Sequence, residues 1–145
     1  MRTLHREAVV PYTPAQMFSL VNDVEAYPRF LPWCRSARVV QRDATQVWAT
    51  LVVAKGGMEK SFTTLNVLDE DRAMNMRLVD GPFRHLEGLW RFEPIGVDRS
   101  RVSLNLSFEL SSKIMALTLG PVFNQAANTL VDAFVKRAHE IYGAG

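Results

Sequence analysis

Residues 121–142 read PVFNQAANTLVDAFVKRAHEIY and decide the fold. Apolar residues recur at steps of three and four, which predicts one apolar helix face made by Phe123, Ala127, Leu130, Phe134, Ala138 and Ile141. The opposite face carries Asn124, Asn128, Asp132, Lys136 and Glu140. Because such a stripe needs a large complementary surface and the rest of the chain supplies strand-like segments, we expect a curved sheet wrapped around this helix.

From Arg35 to Ser111, apolar and polar residues alternate with a period of two. This pattern predicts strands near residues 35–42, 46–55, 59–69, 72–80, 84–94 and 100–111. Short polar links favour antiparallel neighbours. The alternation predicts these inward side chains: Val47, Ala49, Leu51, Val53, Met74, Met76, Leu78, Val102, Leu104, Leu106, Phe108 and Leu110. For 59–69 two phases compete, because Phe62 favours one and Leu65 with Val67 the other.

The first 34 residues predict one strand and two short helices. Residues 2–10 form the strand, and the run Thr13-Pro14-Ala15-Gln16 predicts a capped helix that continues to about Val24. Two prolines, Pro28 and Pro32, then bracket a short helix or turn. The expected fold is α+β: one domain over 1–145, with a seven-stranded antiparallel sheet around the long C-terminal helix and two short helices between strands 1 and 2.

Composition narrows the class of protein. With 145 residues, 48% of them hydrophobic, and a formal charge of +2, the chain fits one globular domain. Thirteen of the seventeen cationic residues are arginine, which suits phosphate pairing, although a solvated basic surface is the favoured interpretation. Cys34 is the only cysteine, so an intrachain disulfide is excluded. Without a signal-peptide pattern or a long apolar run, we expect a cytoplasmic protein; peripheral contact with the inner membrane stays open.

Three stretches carry a family resemblance. Residues 24–34 read VEAYPRFLPWC, residues 79–83 read VDGPF, and residues 90–92 read WRF. The chain thereby resembles the coenzyme Q-binding and ribosome-association-toxin family of START-like, polyketide cyclase-like (SRPBCC) proteins. The resemblance implies a helix-grip fold that binds ubiquinone in a cavity and supports respiratory electron transport as a carrier or chaperone. Quinone binding is the leading hypothesis; the alternative that the resemblance implies is a toxin that binds the large ribosomal subunit and blocks its association with the small one.

The sequence favours binding over catalysis. His5, His85 and His139 lie far apart without a metal-ligand spacing, and neither a nucleophile elbow nor a phosphate-binding loop occurs. The phases assigned inward contain no carboxylate, so a general acid and base have no obvious position. We therefore expect no catalytic cofactor, and an aromatase-like or cyclase-like enzyme is the third alternative. His85 could donate to a quinone carbonyl, but a surface position is favoured.

The candidate ligand-binding residues are aromatic and aliphatic side chains around the expected concave interior. Trp33 and Phe83 lie on proline-flanked connections where a rigid ring can flank an opening, and methionines can repack around an isoprenoid chain. The predicted set is Phe30, Leu31, Pro32, Trp33, Met74, Met76, Leu78, Phe83, Trp90, Phe108, Met115, Phe123, Leu130 and Phe134. A fully packed core is the alternative. For the ribosome, the candidates are Arg35, Arg38, Arg42, Arg72, Arg77, Arg84 and Arg91.

The segment 112–119 has helical spacing of its own. Gly120-Pro121 should separate it from the main helix, because proline lacks an N–H and clashes with the preceding turn. We expect a kink or a separate helical turn there, acting as a lid over the cavity or as a patch that touches a membrane. A continuous, packed helix is the alternative.

Overall fold

Seven antiparallel strands and one long helix build the molecule, as the sequence predicts. The computed structural model describes residues 1–143. Its strands are β1 (Arg2–Val10), β2 (Cys34–Arg42), β3 (Gln46–Lys55), β4 (Met58–Asp69), β5 (Ala73–Asp80), β6 (Phe83–Gly96) and β7 (Arg99–Leu110). They form one sheet in the order β1-β7-β6-β5-β4-β3-β2. The helices are α1 (Pro14–Asn22), a 3₁₀ helix (Val24–Arg29), α2 (Lys113–Thr118) and α3 (Gly120–Tyr142).

The start of α1 is fixed by a capping box. The Thr13 hydroxyl accepts from the Gln16 backbone N–H at 3.1 Å, and the Gln16 side-chain oxygen accepts from the Thr13 N–H at 2.8 Å. The helix ends at Asn22, two residues before the predicted Val24, which instead begins the 3₁₀ helix. Pro28 lies inside that helix, which ends at Arg29, so the short helix precedes the segment between the two prolines and Phe30 and Leu31 lie outside it.

The inward phase of β4 resolves the ambiguity in its sequence. Phe62, Thr64 and Asn66 face α3 and are buried. Leu65 lies on the outer face, yet it is buried because Trp48 of β3 and Arg77 of β5 flank it across the sheet. Apolar side chains on both faces are therefore the reason why the alternation of this strand gave no clear phase.

Three predicted positions are corrected by the structure. Ile141 is 49% exposed instead of buried. Ser103 alternates with the inward residues Val102 and Leu104, which predicts that it faces water, yet it is buried because β7 is an interior strand and Ser103 lies between Glu7 of β1 and Arg91 of β6. Asn128 of α3 is partly buried, since it meets arginine side chains from β1.

Two groups of aromatic rings connect α3 with its surroundings. Phe123 contacts Phe62, Phe83 and Phe108, with ring centroids 5.9, 4.8 and 4.8 Å apart. Phe134 contacts Tyr27, Phe30 and Trp90, at 5.4, 5.2 and 5.3 Å. These edge-to-face contacts stabilise the helix at two points about three turns apart. Across 1–143, none of the helices is both long enough and apolar enough to span a bilayer.

The turn between β5 and β6 requires a glycine at position 81 because of the backbone conformation there. The φ of +147° at Gly81 lies in the region that residues other than glycine rarely adopt, and a Cβ there would stand 2.5 Å from Cβ of Phe62. The turn thereby lies tightly against the start of the inward face of β4.

Candidate functional site

An internal cavity of about 80 Å³ separates α3 from the inner face of the sheet. Strands β3 to β7 contribute inward side chains to its wall, and the 3₁₀ helix, the connector after it and α3 supply the rest. The lining comprises Val24, Tyr27, Trp33, Leu51, Phe62, Thr64, Asn66, Met76, Leu86, Gly88, Trp90, Leu106, Phe123, Ala126, Ala127, Leu130 and Phe134. This wall is almost entirely apolar and partly aromatic.

A hydrogen-bonded polar pair interrupts the apolar wall. Thr64 and Asn66 follow each other on the inner face of β4 and are only 5% and 3% exposed. The Thr64 hydroxyl donates to the side-chain oxygen of Asn66 at 2.9 Å. With its oxygen engaged in this way, Asn66 can use its amide nitrogen to donate to a ligand in the cavity. Buried polar groups require partners, so this pair is the natural place for a polar ligand atom.

Gly88 of β6 determines how closely its neighbours approach the cavity. A Cβ at this position would lie 2.8 Å from Cε of Met76 and 3.2 Å from Cδ1 of Leu106. Because glycine has no side chain, the side chains of Met76 and Leu106 can approach each other over Gly88. Both of them line the cavity, so its volume depends on the space at Gly88.

A surface groove adjoins the cavity beside Trp33. It has a volume of about 240 Å³ and is lined by Pro32, Trp33, Ala54, Lys55, Val122, Gln125, Ala126 and Thr129. Trp33 and Ala126 line both the groove and the cavity. The connector after the 3₁₀ helix and the first turns of α3 thus form the partition between the interior and the surface.

The structure brings together six of the fourteen predicted ligand-binding residues. Those that line the cavity are Trp33, Met76, Trp90, Phe123, Leu130 and Phe134. Pro32 lines the groove instead. Contrary to the prediction, the cavity wall does not include Phe30, Leu31, Met74, Leu78, Phe83, Phe108 or Met115.

Packing explains why these residues lie elsewhere. Phe83 and Phe108 are buried against Phe123 and support it from behind, while Leu31 and Met74 are enclosed in the core. Phe30 and Leu78 are partly buried at its margin, where the Arg137 guanidinium lies over the Phe30 ring at 5.3 Å from its centroid. Met115 lies on α2, where it is partly buried but does not reach the cavity wall.

Sequence reasoning missed the polar pair and several aliphatic residues of the wall. Leu51 and Leu106 were predicted to face inward but not to contact a ligand. Thr64 and Asn66 were missed because the phase of β4 was undecided. The available signal was the pair of polar residues two apart in an otherwise apolar strand, which indicates a buried hydrogen bond or a ligand contact once the phase is known.

The only ionisable side chain of the cavity wall among residues 1–143 is Tyr27. Its hydroxyl donates to the carbonyl oxygen of Val21, and burial raises the pKa of Tyr27. Nearby Cys34 is also buried, which raises the pKa of its thiol to about 11. Neither group exchanges a proton readily near neutral pH, so the cavity is suited to binding rather than to acid–base chemistry.

The histidines that could have served a ligand lie elsewhere. His85 is on the outer face of β6, where its Nε2 hydrogen-bonds with the Ser107 hydroxyl at 2.8 Å. His5, on the outer face of β1, hydrogen-bonds with Asn105 and Glu7, and these bonds raise the pKa of His5. A quinone carbonyl inside the cavity is therefore beyond the reach of either ring.

The arginines predicted to contact RNA are all exposed, and they are dispersed. Arg77 and Arg91 lie on the outer face of the sheet, opposite the cavity. Arg35 pairs with Glu59 at 3.3 Å, and Arg84 pairs with Glu109 at 3.4 Å. Arg38 and Arg42 lie on the edge strand β2, and Arg72 lies in the turn before β5.

The separate helical turn before α3 is confirmed. Ser112 caps α2 by accepting from the Met115 N–H at 3.1 Å, and α2 ends at Thr118, before Gly120 begins α3. No residue of α2 is buried. Ile114 and Leu117 are 68% and 78% exposed, so α2 presents two large aliphatic side chains to solvent.

Comparison with known proteins places the chain in a family. Residues 10–135 match the model of the family described as polyketide cyclase / dehydrase and lipid transport. The chain is 44% identical to the ribosome association toxin RatA of Pseudomonas aeruginosa over 140 residues, covering 97% of both chains. It is 30% identical to the mitochondrial coenzyme Q-binding protein coq10 of Schizosaccharomyces pombe, covering 90% of this chain and 82% of that protein.

Solved structures share the fold. The 18 kDa protein CC1736 of Caulobacter crescentus is 34% identical and superposes with a TM-score of 0.75, covering 99% of this chain and 100% of its own. The Zhui aromatase/cyclase from Streptomyces, 18% identical with a TM-score of 0.80, covers 95% of this chain and 93% of its own and shows the likeness of fold alone. The chain belongs to the polyketide cyclase / dehydrase and lipid transport family and, within it, to the group that includes ribosome association toxins and coenzyme Q-binding proteins.

Proposed function

We propose that this protein binds ubiquinone, or a similar isoprenoid lipid, in its internal cavity and supports respiratory electron transport as a carrier or chaperone. The observation that carries the proposal is an apolar cavity between α3 and the sheet with one polar pair, Thr64 and Asn66, in its wall. The relative named as a coenzyme Q-binding protein supports the ligand class. No catalytic cofactor is part of this proposal, because the ligand is carried and not transformed.

The chemistry of a quinone headgroup matches this wall. The ring is flat and largely apolar, so it can pack against the indoles of Trp33 and Trp90 and the ring of Phe134. Its carbonyl oxygens only accept hydrogen bonds, and the Asn66 amide nitrogen can donate one. A few polar groups that fix the orientation of a ligand in an apolar pocket are typical of binding sites for small molecules.

Binding must enlarge the cavity. A volume of about 80 Å³ is well below the ~300–1,000 Å³ of ligand pockets. Met76 and Leu130 are only partly buried, and the Met76 side chain can adopt other rotamers to admit a ring. The groove beyond Trp33 and Ala126 then offers a path for the isoprenoid tail towards the surface.

The first experiment identifies the natural ligand. The protein is purified without detergent and extracted with organic solvent, and the extract is analysed by mass spectrometry. We expect a quinone in stoichiometric or substoichiometric amount. Protein that carries none and takes up none from vesicles containing ubiquinone would contradict the proposal.

A second experiment places the ligand. Trp33 and Trp90 line the cavity, whereas Trp48 lies on the outer face of β3. A short-tailed ubiquinone should therefore quench a larger fraction of the fluorescence of a Trp48→Phe variant than of the unmodified protein, because the unquenched emission of Trp48 is removed. Equal quenching of a variant that retains only Trp48 would show that the quinone binds outside the cavity.

The exposed helix α2 supports a membrane as the source of the ligand. Quinones reside in the bilayer, and Ile114 and Leu117 can insert among lipid headgroups while Lys113 meets anionic phosphates. Leu119, which is buried, anchors the end of α2 to the core. In this proposal α2 contacts the inner membrane transiently during transfer.

The second candidate function is association with the large ribosomal subunit, as a toxin that blocks its joining with the small one. The observation that favours it is the name of the relatives: the toxins RatA of Pseudomonas aeruginosa and of Escherichia coli are 44% and 42% identical to this chain. Exposed arginines, among them Arg38, Arg77 and Arg91, are available for contacts with RNA phosphates.

Salt dependence separates the two functions. Arginine–phosphate contacts release counterions, so cosedimentation with isolated large subunits should fall steeply as salt rises. Quinone binding in an apolar cavity should change little over the same series. Absence of cosedimentation at low salt would contradict the ribosomal function and leave the quinone proposal standing.

The third alternative, an aromatase-like or cyclase-like enzyme, has the weakest support. It rests on the fold, since the aromatase/cyclase with this architecture is only 18% identical. The wall of the cavity offers the Tyr27 phenol as its one titratable group among the described residues, and that phenol is held by the Val21 carbonyl. We accordingly propose a binding protein and not an enzyme.

A further inference from the structure

Two arginines of β1 converge on α3, at the edge of the sheet. Arg2 and Arg6 lie on the same face of the strand as buried Leu4, so their side chains reach towards the helix. A terminal nitrogen of each approaches the side-chain oxygen of Asn128, at 3.4 Å from Arg2 and 2.6 Å from Arg6. Two positive groups thus share one neutral acceptor.

The geometry of the acceptor is fixed by α3. The Asn128 amide nitrogen donates to the backbone carbonyl of Asn124 at 2.9 Å, which orients the side-chain oxygen towards the arginines. The other terminal nitrogen of Arg6 donates to the His5 carbonyl at 2.9 Å. These contacts hold the Arg6 guanidinium in place beside Arg2.

Carboxylates do not neutralise this pair. Within residues 1–143, neither arginine forms an ion pair. Glu7 is on the opposite face of β1, where it hydrogen-bonds with His5. Asp132 lies one turn beyond Asn128 on α3 and is exposed. Two adjacent, exposed guanidinium groups without a counter-ion repel each other, and an anion between them would relieve that repulsion.

We propose that Arg2 and Arg6, positioned side by side by the Asn128 side-chain oxygen, form a binding site for one phosphate group. Planar guanidinium forks bind phosphate oxygens through paired hydrogen bonds, and a phosphate offers enough oxygens for both arginines at once. The negative charge of a phosphate also balances two arginines better than a carboxylate does, because a carboxylate carries only a single charge. The group can belong to a free phosphate compound or to an RNA backbone. This site goes beyond the cavity function and does not depend on it.

The test uses the full-length protein and inorganic phosphate as the probe. Phosphate is titrated into ¹⁵N-labelled protein at constant ionic strength maintained with chloride, and the side-chain resonances of Asn128 and Arg6 are followed by NMR. We expect saturable shifts. Arg6→Gln should weaken binding by about tenfold, because a charge-assisted hydrogen bond is lost, and Arg2→Gln should weaken it in the same direction. Arg99→Gln removes an exposed charge at the start of β7 and should have no effect.

A second arm distinguishes the source of the phosphate. Binding of a single-stranded oligoribonucleotide is measured by fluorescence anisotropy across a salt series. If the site binds RNA, Arg6→Gln should reduce the salt slope by about 1, whereas Arg99→Gln should not. Phosphate binding without this change would assign the site to free phosphate compounds.

The inference would be overturned if phosphate caused no saturable shift in folded protein, or if Arg99→Gln weakened binding as much as Arg6→Gln. Thermal melting of each variant establishes that it is folded. Quinone uptake, measured in parallel, tests the cavity separately, so failure of the phosphate site leaves that proposal intact.

Discussion

At the scale of single residues, Asn66 is the decisive polar group of the cavity. Replacing Asn66 with Leu removes the donor while keeping similar volume. We expect affinity for a short-tailed ubiquinone to fall by about tenfold, the value of one good hydrogen bond in a dry site. Tryptophan quenching measures the affinity. Asn75→Leu changes the same residue type on the outer face of β5 and should leave it unchanged; equal affinity in both variants would exclude Asn66 as a ligand contact.

Gly88 tests the dependence of binding on cavity volume. In Gly88→Ala the new methyl group displaces Cε of Met76, 2.8 Å away, into the cavity. We expect quinone uptake to fall severalfold and the free energy of unfolding to fall by about 1 kcal/mol through overpacking. Chemical denaturation and quinone quenching measure the two effects.

The matched control for Gly88 is a second substitution. Met76→Ala in the Gly88→Ala background removes the displaced side chain and should restore uptake. If uptake stayed low in the double variant, the loss would not arise from cavity volume, and the role assigned to Gly88 would be wrong.

At the scale of elements, α2 is the segment that can be changed without disturbing the core. Replacing Ile114 and Leu117 with Asp should slow quinone transfer from liposomes, because the apolar contact with the bilayer is lost. The free energy of unfolding should stay within about 0.5 kcal/mol, since both side chains are exposed. Transfer rates and denaturation curves report the two quantities.

The control for α2 lies in the turn between β6 and β7. Val97 is even more exposed, so Val97→Asp makes the same chemical change away from the groove and should not slow transfer. A large loss of stability in the α2 variant would show that these residues pack in the core in solution, and unchanged transfer would exclude α2 as the membrane contact.

The sequence predicts a helix or strand well where one physical signal dominates. The capping box at Thr13, the interruption at Gly120-Pro121 and the alternation of β7 each depend on neighbouring residues alone. β4 depends on its neighbours in the sheet, because Trp48 and Arg77 bury an outward leucine and obscure its phase. The same ambiguity of phase prevented the prediction of part of the candidate site, since Thr64 and Asn66 belong to β4.

At the scale of the whole molecule, the sequence predicts the concave architecture but not the size of its interior. The cavity exists where side chains from β3 to β7 fail to meet α3 completely, and this depends on details such as the space at Gly88. Phe83 and Phe108 show the same limit. The inward direction of Phe108 follows from alternation, whereas Phe83, predicted on a connection, instead begins β6. That both rings contact Phe123 instead of the cavity is decided by the position of the helix.

The stability of the whole fold should fall at alkaline pH because two weakly acidic side chains, Cys34 and Tyr27, are buried at and just after the 3₁₀ helix. Burial raises the pKa of Cys34 from 9.0 to about 11 and raises the pKa of Tyr27 as well. Each group therefore holds its proton more tightly in the folded state than in the unfolded state. The stabilisation is fully present below pH 9 and is lost as pH rises towards 11, because the unfolded chain releases these protons first.

Thermal melting between pH 8 and pH 11 measures this effect, with Cys34→Ala as the test variant. We expect the melting temperature of the unmodified protein to decline from about pH 9 upward. The decline in Cys34→Ala should begin later, because the remaining acids whose pKa values burial raises are the tyrosines Tyr27 and Tyr142, and their ordinary pKa is about 10. Identical curves for the two proteins would show that Cys34 is not shielded from water as the structure places it, and the packing around the connector to Trp33 would then have to differ from that described.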